Sequence, residues 1–229
     1  MLIGARNGML VKGGYTARDY VQDGLVAMWD GIENTGWGVH DPAATVWKDC
    51  IQGLELVPTD GAVFQITDNA VVASRGSTGG RLLVDYDVFD SELTLEAYAA
   101  PSYNNTYYAP TFGAGRLGIV WANGQGYIAT CLYASKQYNL QLSPTATSGC
   151  MSFSVASNGN PSSLATYYNG QLKPTRQVWN GAADERHNVR ITLNERLTPF
   201  RYFRIYNRIL TASEIAVNYA IDKARFNLP

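Results

Sequence analysis

The stretch that decides the fold lies near the carboxyl end and reads Phe203-Arg204-Ile205-Tyr206-Asn207-Arg208-Ile209-Leu210-Thr211-Ala212-Ser213-Glu214-Ile215. Its first residues alternate with the period of two that is typical of a strand with one buried face. We therefore expect Phe203 and Ile205 to face a core. Arg204 and Tyr206 are expected to face outward, and Asn207-Arg208 is expected to form the turn that leaves the strand.

The second half of this stretch predicts the start of a helix. Thr211 and Glu214 form a capping box, in which each side chain accepts a hydrogen bond from the backbone amide of the other residue. Leu210 and Ile215 have the spacing of a hydrophobic staple. We predict a helix over residues 212–225 and expect it to lie against the sheets, because it carries a broad apolar face made of Val217, Ala220, Ile221 and Ala224.

Other segments repeat the strand pattern, and together they predict about ten strands. Clear alternation marks residues 92–98, 137–142, 151–156, 189–193 and 201–206, and more thoroughly apolar runs mark residues 24–29, 63–67, 81–84, 117–121 and 127–133. Asn123-Gly124 and Asn169-Gly170 each separate two such runs, as in two-residue hairpin turns. Antiparallel hairpins followed by one terminal helix predict an all-β fold, a two-sheet antiparallel β-sandwich.

The chain divides into two parts of very different length. Residues 1–22 are rich in glycine and hold too few apolar residues for a core element, so we predict an extended N-terminal arm that is ordered by packing on another surface. Residues 23–229 form the sandwich domain with its C-terminal helix. The arm has no apolar run of the length found in secretory signals, and the chain has no run long enough for a membrane span. We expect no membrane as a partner.

Charge and cysteine content exclude further classes. Lys and Arg total 18, Asp and Glu total 19, and like charges form no block, so we expect no nucleic-acid partner. The three cysteines are Cys50, Cys131 and Cys150. Buried reduced thiols are the favoured interpretation, and one disulfide with one free thiol remains open.

The closing segment resembles the R-I-Y-N-R-x-L-[ST]-x-x-E-I segment of laminin-G-like, concanavalin A-like jelly-roll domains. Gly24–Gly31 with Trp47-Lys48-Asp49 resembles the family's first strand and its W-x-D turn, Leu93–Ala97 its central strand, and Tyr168–Gln171 its Y-x-N-G hairpin. The matches run in the family's order from Gly24 to Phe226. The resemblance implies a concanavalin A-like jelly roll of the kind found in gut bacteria and their bacteriophages, and such a fold does not define a chemistry.

Glycosidases of this fold need two carboxylates about 5 to 10 Å apart. They usually carry a Glu-x-Asp-x-x-Glu strand, which this sequence lacks. Glu92 and Glu96 share one face of a predicted strand, and we interpret them as solvated surface carboxylates rather than an acid pair. Asp85, Asp87 and Asp90 are interpreted as charges on an edge strand. His40 and His187 lack further ligands or triad partners at the required spacing, so we predict no enzymatic activity.

Calcium is a better metal candidate than zinc, because members of the family that the closing segment resembles sometimes hold it through carboxylate and carbonyl oxygens at the edge of the sandwich. Asp30, Asn34 and Asp41 could supply such oxygens. The alternative is that these side chains form turns by bonding to nearby backbone. No other cofactor is predicted.

A tyrosine-rich segment is the best candidate for ligand binding. Residues 101–110 are bounded by prolines and carry five residues suited to recognition by ring stacking and amide hydrogen bonds: Tyr103, Asn104, Asn105, Tyr107 and Tyr108. The alternative is that these tyrosines pack on a sheet edge or on a neighbouring subunit.

These features favour a non-enzymatic structural protein of a bacteriophage virion, as capsid decoration, head fibre or tail-associated protein. In this hypothesis the arm docks on other virion proteins, the chain forms a homo-oligomer, and the jelly roll adheres to host-surface glycans. The alternative is a carbohydrate-binding module of a secreted or surface protein of a bacterium, located outside the cell. A glycoside hydrolase ranks third, since no acid pair is found.

Overall fold

The structure of the 229-residue chain is a computed structural model. It describes residues 14–75, 81–87, 92–99, 111–114, 117–122, 126–133, 136–142, 151–157, 163–182, 188–192 and 197–228. Within these ranges the chain forms seventeen strands, a short 3-10 helix at Ala17–Asp19 and one α-helix.

The described strands run from β1 to β17 in chain order. They are β1 Leu25–Asp30, β2 Trp47–Lys48, β3 Glu55–Thr59, β4 Val63–Ile66, β5 Val71–Ser74, β6 Arg81–Asp87, β7 Leu93–Ala99, β8 Thr111–Ala114, β9 Leu117–Ala122, β10 Gly126–Tyr133, β11 Lys136–Leu142, β12 Met151–Ser157, β13 Ala165–Tyr168, β14 Gln171–Leu172, β15 Thr175–Ala182, β16 Asn188–Thr192 and β17 Thr198–Tyr206. The helix α1 follows at Ala212–Phe226.

The strands form two antiparallel sheets. The first has the order β14-β13-β12-β7-β17-β5-β4, and β1 pairs with the second half of β17 beside β5. The second has the order β15-β11-β10-β9-β8-β16-β6-β3-β2. The last residues of β17, Phe203–Tyr206, are the first residues of the stretch that decides the fold. This strand therefore lies inside the first sheet and is hydrogen-bonded to β7 on one side.

A dry core fills the space between the sheets. From the first sheet it takes Ala27, Trp29, Leu93, Leu95, Ala97, Phe203 and Ile205, and from the second sheet Leu56, Leu82, Val84, Val189 and Ile191. Trp29 stacks on Phe203 with ring centroids 5.7 Å apart. These residues are the alternate positions of their strands, so the period-two pattern identifies the inward face correctly.

The predicted β-sandwich with one C-terminal helix is confirmed. The ten predicted strands all occur, with bounds that differ by a few residues. At Asn169-Gly170 both residues have positive φ, 50° and 71°, as a two-residue hairpin turn requires. Asn123-Gly124 lies outside the described residues, although the strands β9 and β10 on either side of it pair antiparallel.

The strands that the sequence did not predict are mostly short or at a sheet margin. They are β2, β3, β5, β8, β13, β14 and β15, and β2 and β14 hold only two residues each. The strand β6, which carries Asp85 and Asp87, lies between β16 and β3 in the second sheet, so it is not an edge strand as predicted. Its register with β3 runs over Arg81–Leu83, before the two aspartates. Asp90 lies outside the described residues.

The outer face of the first sheet is covered, which corrects a prediction. Arg204 and Tyr206 were expected to face solvent, but both are fully buried. The helix α1 and the described end of the N-terminal arm lie over this face and exclude water from it. Within the described residues no helix combines the length and apolarity that a bilayer crossing requires.

The capping box at Thr211 is confirmed, and both of its hydrogen bonds are present. The helix extends to Phe226, one residue beyond the prediction. Its buried face, however, is half polar and consists of Ile215, Asn218, Ile221, Asp222, Arg225 and Phe226. Val217, which was counted in the apolar face, is 51% exposed. Helix docking in this protein therefore depends on polar contacts as much as on apolar area.

Candidate functional site

In the described part of the chain, a layer of buried charged side chains lies between α1 and the outer face of the first sheet. At its centre, Arg204 on β17 donates from Nε to Glu96 Oε2 at 2.9 Å. Its Nη1 and Nη2 atoms donate to the two carboxylate oxygens of Asp222 on α1, at 2.8 and 2.7 Å. All three side chains are at most 2% exposed. This bidentate geometry is the strong form of an arginine–carboxylate pair.

A second arginine, Arg225 near the end of α1, binds the carboxylates of Asp30, the last residue of β1, and of Glu33 in the loop that follows. Its Nη1 donates to Asp30 Oδ2 at 2.5 Å, and its Nη2 donates to Glu33 Oε1 at 3.0 Å. Asp30 Oδ1 also accepts the backbone amides of Ile32 and Glu33 at 2.8 and 2.9 Å. The helix is thus bound to the loop as well as to the sheet.

Tyr20, in the predicted arm, joins the two arginine clusters. Its hydroxyl donates to Asp222 Oδ1 at 2.8 Å and accepts from Arg225 Nη1 at 3.1 Å. The guanidinium carbon of Arg204 lies 4.1 Å from the centroid of the Tyr20 ring, which is cation–π distance. Tyr20 is therefore an anchor, and the sequence analysis did not identify it.

Two backbone hydrogen bonds fix the arm on either side of Tyr20. The Ala17 amide donates to Glu33 Oε1 at 2.9 Å, and the Val21 amide donates to Asn218 Oδ1 at 3.0 Å. The Asn218 amide nitrogen in turn donates to Glu96 Oε2 at 2.8 Å. Of the predicted arm, residues 14–22 are described, and they pack on the domain that follows them in the same chain.

Burial and charge together shift the pKa values of this layer. Burial alone would lower the pKa of Arg204, but the carboxylates of Asp222 and Glu96 raise it well above its ordinary value. Burial, and then the charge of Asp222, raises the pKa of Tyr20. The arginine therefore stays charged and the tyrosine stays neutral across the usual pH range.

These contacts indicate that the buried carboxylates bind arginines within the molecule and are not accessible to a substrate. Glu96 was expected to be solvated and is instead buried against Arg204, because α1 covers its strand face. Glu92 is exposed. Glu96 accepts hydrogen bonds from Arg204 and Asn218 in the interior, whereas Glu92 lies at the surface just before β7. This difference in exposure gives no support to an acid pair formed by Glu92 and Glu96.

The three candidate calcium ligands are described, and each makes protein contacts. Asp30 binds Arg225, as given above. Asn34 Nδ2 donates to the Asp41 carbonyl, and the Asp41 amide donates to Asn34 Oδ1, both at 2.8 Å. Asp41 Oδ1 accepts the Ala43 amide at 2.8 Å. Among the described residues no group of three His, Cys, Asp or Glu side chains could hold a metal. A calcium site stays a prediction, and the bonds seen are those of the turn-forming alternative.

The remaining predicted residues are only partly described. Tyr103, Asn104, Asn105, Tyr107 and Tyr108 lie outside the described residues, as does Cys150. Cys50 is a free, buried thiol whose Sγ contacts the Glu33 carbonyl at 3.4 Å. Burial raises its pKa, so it is a poor nucleophile.

A loop beside the arm presents side chains at the surface. The guanidinium of Arg18 lies 5.1 Å from the Trp37 ring centroid. The Gly38 amide donates to Glu33 Oε2 at 2.7 Å, so the loop that carries Trp37 is tied to the buried layer. Nearby along the chain, Val39 is 51% exposed.

Comparison with known proteins agrees with the fold. No family model matches the chain, and no curated protein matches it. The sialidase of Trypanosoma rangeli in complex with sialic acid is a structural neighbour, with a TM-score of 0.56 and 16% identity over 87% of this chain and 33% of the sialidase. The receptor binding domain of botulinum neurotoxin D is another, with a TM-score of 0.56 and 12% identity over 86% of this chain and 52% of that domain.

These neighbours define the class of protein as an all-β sandwich, and at this identity they define the fold alone. The chain spans about a third of the sialidase and about half of the neurotoxin domain. Activities of those whole proteins are therefore not carried over as findings.

Proposed function

We propose that this chain is a non-catalytic binding domain whose ligand is a carbohydrate. The observation that carries the proposal is the sandwich fold that it shares with a receptor-binding domain and with a sialidase described in complex with sialic acid. The buried charges support the non-catalytic part, because Glu96, Asp222, Asp30 and Glu33 are each bound by an arginine in the interior.

The proposed ligand site is the Pro101–Pro110 segment. Its tyrosines and asparagines have the composition of a recognition surface, in which rigid rings stack and amides adapt their hydrogen bonds. The apolar face of a pyranose is a suitable partner for such a ring. The segment holds no charged residue, so ring stacking and neutral hydrogen bonds, rather than ion pairs, would hold the ligand.

The test is a glycan array probed with the full chain, followed by titration of the strongest ligand. Replacing Tyr103, Tyr107 and Tyr108 by Ala, singly, is expected to weaken binding by about tenfold or more for each ring that stacks. Tyr15→Ala is the matched control, because Tyr15 is a 43% exposed tyrosine outside this segment. Undiminished binding in all three variants would place the ligand elsewhere, and absence of any bound glycan would overturn the proposal.

A second proposal concerns the setting in which the domain works. We infer a structural role in a bacteriophage virion, as capsid decoration, head fibre or tail-associated protein, from the resemblance of the closing segment to jelly-roll domains of gut bacteria and their phages. In this setting residues 1–13 of the arm would contact other virion proteins, because residues 14–22 pack on the domain of their own chain. An extracellular or surface-attached bacterial protein is the alternative that fits the same fold.

The two settings differ in what surrounds the gene and in where the protein is found. Capsid, portal and tail genes on either side, with the chain present in purified particles, are expected for the virion role. Neighbouring polysaccharide-utilisation genes and recovery from the bacterial surface would contradict it. Both outcomes leave the proposed glycan binding to be judged by the array.

A further inference from the structure

The strap, defined as residues 16–21, is held by a socket whose groups come from distant parts of the chain. Its outgoing hydrogen bonds end on Glu33 of the loop after β1 and on Asn218 and Asp222 of α1. The socket residues and the strap anchor Tyr20 are all buried, at no more than 2% exposure except for Arg225 at 4%. The strap is therefore a distinct segment with a complementary site.

An empty socket would be unfavourable. Without the strap, Glu33 Oε1 and Asn218 Oδ1 each lose a backbone donor, and Asp222 and Arg225 each lose the Tyr20 hydroxyl. Buried polar groups that lose their partners carry a desolvation cost. In this structure the group that satisfies them is an aromatic hydroxyl flanked by two backbone amides. A strap of identical sequence meets that requirement whether it comes from the same chain or from a second copy.

The strap joins β1 through a tight turn at residues 22–25. The Leu25 amide donates to the Gln22 carbonyl at 3.1 Å, and Gly24 has φ of 76°. A Cβ at Gly24 would lie 2.8 Å from Arg208 Cγ, so the closed turn depends on glycine both for its φ and for space. A short turn between an anchored segment and a strand is the hinge that domain swapping opens.

We propose that the strap is exchanged between two copies of this chain. The turn opens, Tyr20 of each copy enters the socket of the other, and a dimer forms in which every strap contact of the monomer is kept. Monomer and dimer then differ in the hinge and in the entropy of association, so the balance between them depends on concentration. This inference concerns assembly and does not depend on glycan binding.

The first experiment destabilises the closed form of the hinge and leaves the residues of the strap and of the socket unchanged. In the full chain, Gly24→Ala places an L-residue at positive φ in the closed turn but not in the opened one. Because each dimer relieves this strain at two hinges, dimers are expected at about thirtyfold lower concentration than for the wild type, or lower still. Gly14→Ala is the matched control, because Gly14 has φ of 80° with no atom within 4 Å of its Cβ position and lies outside the hinge. Light scattering after size-exclusion chromatography measures the populations.

The outcomes of this experiment are distinct. Dimerisation of the Gly24 variant, with no change for the Gly14 variant, supports exchange. A Gly24 variant that stays monomeric at millimolar concentration, or an equal response of both variants, would overturn it.

The second experiment tests whether the dimer is held by the strap. Isotope-labelled and unlabelled dimers of the Gly24→Ala chain are mixed, and native mass spectrometry follows the formation of mixed dimers. Exchange requires Tyr20 to leave its socket, so Tyr20→Phe, which removes both hydroxyl hydrogen bonds to charged groups, is expected to speed mixing about tenfold or more. Tyr15→Phe changes an exposed tyrosine just before the strap and is expected to leave the rate unchanged. An unchanged rate for Tyr20→Phe would show that the dimer uses another surface.

Discussion

Replacement of Arg204 by Met tests whether Arg204 compensates the buried carboxylates of Glu96 and Asp222. The substitution keeps an unbranched apolar side chain but removes the cation that holds Glu96 and Asp222, both of which are at most 2% exposed. Removing one partner from a buried ion pair costs about 3–5 kcal/mol, because the remaining charge has no compensation. We expect Arg204→Met to lose free energy of unfolding in this range.

Arg208→Met is the matched control. Arg208 lies two residues after β17 and pairs with Glu214 at 2.6 Å, but the two side chains are 23% and 27% exposed. Pairs that water can reach contribute about 0–1 kcal/mol. The two substitutions remove the same side chain from neighbouring positions and differ mainly in burial.

Equilibrium unfolding in urea, followed by tryptophan fluorescence, provides the measurement. Trp29 and Trp47 are fully buried and will report on loss of the core. With a urea dependence of about 2–3 kcal/mol per molar for a domain of this size, the Arg204 variant should unfold at about 1 to 2 M less urea than the wild type. The Arg208 variant should shift by less than about 0.5 M. Equal shifts for the two variants would refute the conclusion that Arg204 compensates two carboxylates that water does not reach.

Two further predictions concern pH and a turn. The side-chain hydrogen bond from Arg208 lowers the pKa of Glu214 from its ordinary value of 4.5 to about 2, so the stabilisation from this carboxylate is complete above pH 4.5 and is lost as the pH falls towards 2. Glu214→Gln should therefore flatten the acid limb of a plot of unfolding free energy against pH, and an unchanged limb would contradict the assignment. Gly170 has φ of 71°, and a Cβ there would lie 2.9 Å from the Tyr219 Cβ. Gly38 has nearly the same φ, 70°, but no atom lies within 4 Å of its Cβ position. Gly170→Ala should therefore lower the thermal unfolding temperature more than Gly38→Ala does. Equal losses would show that the contact with Tyr219 relaxes freely.

The fold could be predicted from the sequence because its determinants are local. Alternation in Phe203–Tyr206 and in Leu93–Tyr98 identifies the inward face, and the capping box at Thr211 fixes the first residue of the helix. Periodicity indicates which residues of a strand share a face, but it does not indicate whether another element covers the outer face. For this reason Glu96, Arg204 and Tyr206 were wrongly assigned to solvent.

A signal for the covered face was present in the sequence. The outward positions of β17 carry Tyr202, Arg204 and Tyr206, a composition richer in aromatic rings than a solvated strand face usually has. The buried layer itself could not be predicted, because its partners are far apart along the chain. Tyr20 and Asp222 are separated by 202 residues, and no local pattern links them.

The candidate ligand segment has a different status. Tyr103 to Tyr108 were selected for their composition, which indicates recognition in general and cannot define a ligand. Loops of a sandwich are positioned by the scaffold but are free to vary in sequence, so local rules constrain them least.

The most direct test of the central claim is to recover a bound glycan after prolonged incubation with the full chain. The chain is mixed with the ligand found on the array, the complex is isolated, and mass spectrometry determines whether the glycan has kept its full length. Binding with complete recovery of the intact glycan is the result that we predict. Shortened products, lost when Glu92 is replaced by Gln, would contradict the claim and identify a hydrolase.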